Sequence, residues 1–332
     1  MLPLPENDYS RAQVLASWIE LSALGEDDGA AYRGYALEAM RDSQLYPERT
    51  SGKEADSSDP NSPSGMLAET WRVLRSRERM LRDAWPFELS EDAVKRRSKR
   101  KRLADVAAYS AMLLIEAASL KWYSRIAITS GDPIRHWFER IVVAALSRFS
   151  NGRTMRFGAP FPAGWPSSFV GRVQHLASAF DLSSRKEEIE KLSSPAQQDD
   201  SLDVVARLRI CDELGGVPYV LVQCATGANW SSDKPSEPRL PVWEKYISWD
   251  GPRLKALALP FTLRERGELE KASIRHFNAL VLDRIRIAGA LPDENIDVDL
   301  RKKLSDWCSA RFASIRDATP ATVPKRTVSR RR

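Results

Sequence analysis

An α+β fold is predicted for this 332-residue chain, with a helical N-terminal region followed by a core in which helices and strands are interspersed. Three observations predict it. Segments with apolar residues every three or four positions dominate the first 130 residues. From about residue 131 they give way to shorter runs rich in β-branched residues and bounded by turn formers. A content of 42% hydrophobic and 29% charged residues is that of a globular chain able to bury one or two cores.

Residues 10–24, "SRAQVLASWIELSAL", set Val14, Leu15, Trp18, Ile19 and Leu21 near the helical period, with Ser10 as a start signal. The segment "AAYRGYALEAMRDS" at 30–43 is predicted as a second helix. Residues 47–65 are polar and rich in Pro and Gly, which predicts a mobile loop. Helix resumes with "MLAETWRVLRSRERMLRDAW" at 66–85, and "LADVAAYSAMLLIEAASLKWYSRI" at 103–126 is apolar nearly all round, as in a helix buried within a bundle.

"DPIRHWFERIVVAALSRFS" at 132–150 opens on an Asp-Pro start signal and carries Ile134, Phe138, Ile141, Val142 and Ala145 on one face of a helix. "RTMRFGAPFP" is read as a strand or extended segment and "SFVGRVQHLASAFDL" as a helix. "SLDVVARLRI" and "VPYVLVQCA" are predicted to form a hairpin around the turn signal "DELGG". Beyond it, "LPVWEKYISW" is predicted as a helix, "LKALALPF" as a short strand, "GELEKASIRHF" as a helix and "ALVLDRIRIAGAL" as a last strand. The predicted organisation is a helical region 1–130, an α/β domain 131–318 and a basic, disordered tail 319–332.

Several classes are excluded on composition and pattern. The apolar stretch 106–120 is interrupted by Tyr109, Ser110 and Glu116 and falls short of the roughly 20 residues needed to cross a bilayer, so no membrane association is expected. The N-terminus "MLPLPENDYS" lacks the basic flank and apolar run of a secretory signal, and a cytoplasmic location is expected. Cys211, Cys224 and Cys308 are odd in number and far apart, which argues against a disulfide framework or a paired-cysteine zinc site. His136, His175 and His276 show no metal-ligand spacing. "GAPFPAGW" lacks the Gly-Lys-Ser/Thr ending of a phosphate loop, and no Gly-x-Ser-x-Gly elbow is found. Cys224 is read as a buried small hydrophobe.

The net charge of +6, from 51 Lys and Arg against 45 Asp and Glu, is unevenly distributed. In "KRRSKRKR" at 95–102, Lys95, Arg96, Arg97, Lys99, Arg100, Lys101 and Arg102 are candidates for contact with nucleic-acid phosphates. Such a run is equally that of a solvated linker.

One constellation carries chemistry. Asp203, read as lying late in one strand, is followed across a tight turn by Gln223 at the polar end of the neighbouring strand, and the preceding helix contributes Glu139. Oxygen-bearing side chains from a helix and two strands suit a hard divalent cation such as Mg2+ or Mn2+. Such an ion lowers the pKa of an attacking water and balances charge on a phosphodiester. In "TGANW" after the strand, Thr226, Gly227 and Asn229 are turn formers, and Trp230 is read as core rather than as a base-stacking platform.

The order of "WFERIVVAAL", "LDVVARLRI" and "VLVQCATGANW" resembles the PD-(D/E)XK nuclease superfamily, over roughly residues 131–262. The resemblance implies a restriction-endonuclease-like core, a central mixed sheet flanked by helices. It also implies a metal-dependent DNA endonuclease, with a bacterial genome-defence setting, in which Glu139, Asp203 and Gln223 occupy metal-ligand positions. The family's lysine, which orients or deprotonates the attacking water, falls on Ala225, and Lys234 is the nearest downstream candidate to replace it. The N-terminal helices would then be a regulatory, DNA-binding or partner-binding module. Two other classes stay open: a catalytically weakened member of the fold that binds nucleic acid or scaffolds a complex, and a helical interaction subunit in which 200–262 is not a sheet.

Overall fold

The computed structural model describes residues 1–5, 12–43, 62–98, 102–129, 131–194, 198–210, 214–230, 234, 237–263, 278–291 and 296–317. The first helix, α1 (Ala12–Gly25), is buried almost along its whole length, as its apolar sequence requires. A short strand β1 (Ala30–Tyr32) leads into α2 (Arg33–Asp42), so the predicted helix at 30–43 loses its first three residues to a strand. In α3 (Pro63–Leu81) the Ser62 side chain accepts a hydrogen bond from the Gly65 amide at 3.0 Å and Pro63 opens the first turn. Residues 62–65, predicted as loop, therefore begin this helix, while 47–61 lie outside the described residues.

Strands β2 (Phe87–Leu89) and β3 (Ala93–Arg96) join β1 in a three-stranded antiparallel sheet of order β1-β3-β2, which sequence periodicity did not anticipate. The helix α4 (Ala107–Ser119) has Ala107 to Ala118 all buried, the environment expected for a segment apolar on every side.

α5 (Ile134–Ser150) starts where the Asp132 carboxylate accepts from the Ile134 amide at 3.0 Å, and it ends at Asn151 in the left-handed region. There follow β4 (Thr154–Arg156), α6 (Phe169–Ala179), β5 (Ser183–Ser184), α7 (Lys186–Leu192), β6 (Val204–Arg207), β7 (Tyr219–Cys224), α8 (Leu240–Tyr246), β8 (Ile247–Ser248) and β9 (Arg253–Ala258). The segment predicted as a last strand is strand only at β10 (Leu280–Leu282). Asp283 then caps α9 (Arg284–Ala290), its carboxylate accepting from the Arg286 amide at 3.0 Å, so the larger part is helix. The closing helix α10 (Val298–Arg316) was not anticipated. The helix predicted at 267–277 and the tail 319–332 lie outside the described residues.

The central sheet has five strands in the order β10-β9-β7-β6-β4. β4, β6 and β7 pair antiparallel, and β9 and β10 continue parallel, so the sheet is mixed. A chain in which 200–262 is not a sheet is thereby excluded.

Side-chain alternation gives this sheet two buried faces. Val204, Ala206, Val220, Val222, Ala256 and Ala258 join the main core, together with side chains of α1, α3, α4, α5 and α10. Val205, Tyr219 and Leu221 face the opposite way, into a second cluster with Phe157, Phe169 and Trp243. The main core runs from Leu2 to Ile315, so the N-terminal helices and the sheet share one interior.

A polar network sits inside that interior. Arg77 donates to Glu20 at 2.8 Å and Arg284 to Glu116 at 2.5 Å, while Trp85 and Tyr109 donate to the second Glu20 oxygen at 2.9 and 3.1 Å. Arg284 also donates to Ser17 at 2.9 Å. Two glutamates balance two arginines, so α1, α3, α4 and α9 are tied by charges that compensate one another within the core. No described helix is long and apolar enough to cross a membrane.

Candidate active site

Asp203 immediately precedes β6, at its start rather than late in the strand as the sequence suggested. It still takes part in the ladder, its amide donating to the Val222 carbonyl at 2.9 Å. Pairing of Val204 with Val222 puts Asp203 opposite Gln223 in the antiparallel register. The side chains meet there: the Gln223 amide nitrogen donates to Asp203 Oδ2 at 2.7 Å, and the backbone N–H of Cys224 donates to the same oxygen at 2.6 Å. The Gln223 nitrogen also donates to the Cys224 carbonyl at 3.1 Å. Two acceptors fix which way the amide faces, and they leave its oxygen Oε1 buried with no partner among the described residues.

Glu139, on α5, reaches the same place. A Cβ added at Gly158 would lie 2.6 Å from Glu139 Oε2 and 2.9 Å from Asp203 Oδ1. Only the absence of a side chain at Gly158 lets the two carboxylates converge. Sequence reasoning missed this glycine and also Arg156, whose Nη1 donates to Glu139 Oε2 at 2.8 Å and to the Gly158 carbonyl at 2.7 Å. Arg156 sits in β4 opposite Val204, so the strand pairing that positions Asp203 also delivers the cation that holds Glu139.

Burial dominates the electrostatics of the pair. It pushes the Glu139 carboxyl up to about 7 against the opposing pull of Arg156, and the charge of Asp199 adds to the rise. Asp203 is held well above the usual carboxylate range by burial and by Glu139, with the Cys224 amide pulling the other way. Asp199 raises Asp203 further and Lys234 opposes it. Two buried like charges favour a shared proton or a cation between them.

These groups border a cleft of about 500 Å³, with Lys121, Arg135 and Lys234 also on its wall. Lys234 pairs with Glu237 at 2.7 Å. Ala225, at the position of the expected lysine, borders the cleft on one side and packs with Trp230 and Leu257 on the other. Trp230 is core, as read from the sequence. Among the described residues no group of three or more His, Cys, Asp or Glu could hold a metal, so the oxygen set here is two carboxylates and one amide.

The basic run is only partly described, Lys99, Arg100 and Lys101 lying outside the described residues. Lys95 and Arg96 end β3, with the Lys95 ammonium over the Tyr32 ring at 5.7 Å. Arg96 donates to the Glu26 carbonyl at 3.3 Å, Arg97 to the Trp85 carbonyl at 2.9 Å, and Arg102 to Asp105 at 3.0 Å. These contacts make Arg96 and Arg97 part of the small sheet's scaffold rather than a solvated linker. Cys224 and Cys308 are free thiols. His175 packs on Trp165 with ring centroids 4.6 Å apart.

A scan of protein-family models, a search of curated proteins and a search of solved structures each return no match for this chain.

Proposed function

We propose that the cleft is a divalent-cation site that hydrolyses phosphodiester bonds of nucleic acid, the activity implied by the resemblance to PD-(D/E)XK nucleases. The observation that carries it is the meeting of Glu139 and Asp203 over Gly158, with Gln223 bonded to Asp203. The donor set fits Mg2+ or Mn2+: Glu139, Asp203 and the unpartnered Gln223 Oε1 are hard oxygen ligands, and few enough to leave room for waters. When bound, the ion lowers the pKa of an attacking water and offsets charge on the phosphate. The chain's own residues do the rest. Arg156 holds the Glu139 carboxylate in place, and the Cys224 amide and Gln223 fix the Asp203 rotamer. Lys234, on the cleft wall, supplies the positive charge that Ala225 lacks and favours the negative charge that builds on the phosphate.

Supercoiled plasmid incubated with Mg2+ or Mn2+ tests this. Cleavage by the native protein and its loss in Asp203→Asn are expected; equal cleavage by both would refute the assignment. A second reading, a catalytically weakened DNA-binding protein of the same fold, is favoured by one observation: Lys234 is held by Glu237. It predicts DNA binding with no cleavage under either ion.

A further inference from the structure

The cleft has a wall that the nuclease resemblance does not supply. α4 ends at Ser119, and Lys121 follows in the left-handed region at φ 56°. The Lys121 amide donates to the Ala118 carbonyl and the Trp122 amide to the Ala117 carbonyl, closing the helix with a turn in which glycine or asparagine is the favoured residue. A lysine there adopts a backbone conformation disfavoured by its Cβ. The turn is fastened to the site, since the Ser119 hydroxyl donates to the Thr226 carbonyl at 2.5 Å, just beyond β7. Lys121 is exposed and lines the same cleft as Glu139, Asp203 and Gln223. Arg135, also exposed, stands four residues before Glu139 on α5 and so one turn along the same helix face.

We infer that Lys121 and Arg135 form a phosphate anchor that binds the nucleic-acid backbone beside the bond to be cut. The N-terminal helices thus build part of the substrate site. The inference rests on the proposed nuclease reading for its ligand. It is carried by the placement of two cations, from separate elements, on the wall that holds the carboxylates. The disfavoured backbone at Lys121 points the same way, since a position that suits glycine carries a long cation facing the cleft.

The test uses full-length protein carrying Asp203→Asn, so that DNA stays intact, and a short fluorescein-labelled DNA duplex. Anisotropy titrations at several KCl concentrations give the slope of log Kd against log salt. Lys121→Gly and Arg135→Ala are each expected to weaken binding and to reduce that slope by about 0.9, the value for one lost phosphate contact on duplex DNA. Lys121→Gly is also expected to raise Tm, because glycine suits the left-handed turn. A loss of DNA affinity in a more stable protein separates ligand binding from a structural role. Unchanged affinity and slope in the double variant overturn the anchor, as does an absence of salt-dependent binding by the parent. The nuclease reading fails separately: native protein that cuts no DNA with Mg2+ or Mn2+, while the variants lose their phosphate contacts, leaves the anchor standing without the catalysis.

Discussion

The side-chain amide of Gln223 donates to Asp203 Oδ2 at 2.7 Å across the ends of two antiparallel strands, and the Cys224 backbone N–H donates to the same oxygen. The bond takes up one Asp203 oxygen and leaves the other beside Glu139 over Gly158. Gln223→Leu removes one of the two donors to this buried oxygen, the Cys224 N–H remaining, and is expected to cost about 0.5–1.5 kcal/mol of stability. Urea denaturation without added metal measures it, and an unchanged midpoint would show that the bond contributes nothing to folding.

Gly158→Ala is expected to force Glu139 and Asp203 apart, since the new Cβ would fall 2.6 Å from one carboxylate and 2.9 Å from the other. Overpacking of this kind costs about 1–3 kcal/mol. Any cleavage should fall with it. A variant as stable and as active as the native protein would show that the carboxylates do not depend on this close approach.

The pH dependence follows from Glu139. Its carboxyl is raised from 4.5 to about 7 in the folded chain, so between those values the folded state binds more protons than the unfolded one. The stabilisation is therefore fully present below about pH 4.5 and lost as pH rises through 7, amounting to at most about 3 kcal/mol. Without metal, the native protein should lose stability relative to Glu139→Gln between pH 5 and pH 8. Parallel stability profiles for the two proteins would mean that Glu139 titrates normally.

The buried network predicts a different penalty. Glu116→Leu leaves Arg284 without its 2.5 Å partner in the core and is expected to destabilise the chain by about 3–5 kcal/mol. Replacing both residues, Glu116→Leu with Arg284→Met, should cost less than Glu116→Leu alone. Additive costs in denaturant melts would contradict a mutually compensating network.

Much of this architecture was legible in the sequence because it rests on local periodicity. α1, α3, α4, α5 and α6 carry apolar residues at helical spacing, and the turn formers of "DELGG" separate the sequences of β6 and β7. The small β1-β3-β2 sheet was not legible, because its strands of three or four residues are too short to show an alternation. α10 carries a helical signal in the sequence, Asp297 as cap followed by Leu300, Leu304, Trp307 and Cys308 on one face. At the site, Glu139, Asp203 and Gln223 could be named from element order. Arg156, Gly158, Lys121 and Arg135 could not, since their roles arise from strand pairing and helix packing between residues far apart in sequence.

The missing lysine can be tested by exchange. Lys234→Ala is expected to lower cleavage, and Ala225→Lys in that background to restore part of it, because position 225 borders the cleft. Cleavage unaffected by Lys234→Ala would remove that residue from the site.

If Glu139, Asp203 and Gln223 make one cation site, thermal melting with and without millimolar Mg2+ or Mn2+ will show it. An ion that binds only the folded protein raises Tm by mass action. The native protein should melt higher with the ion, and Asp203→Asn, with one ligand charge removed, should shift little. Equal shifts in both proteins, or no shift in either, would contradict the site.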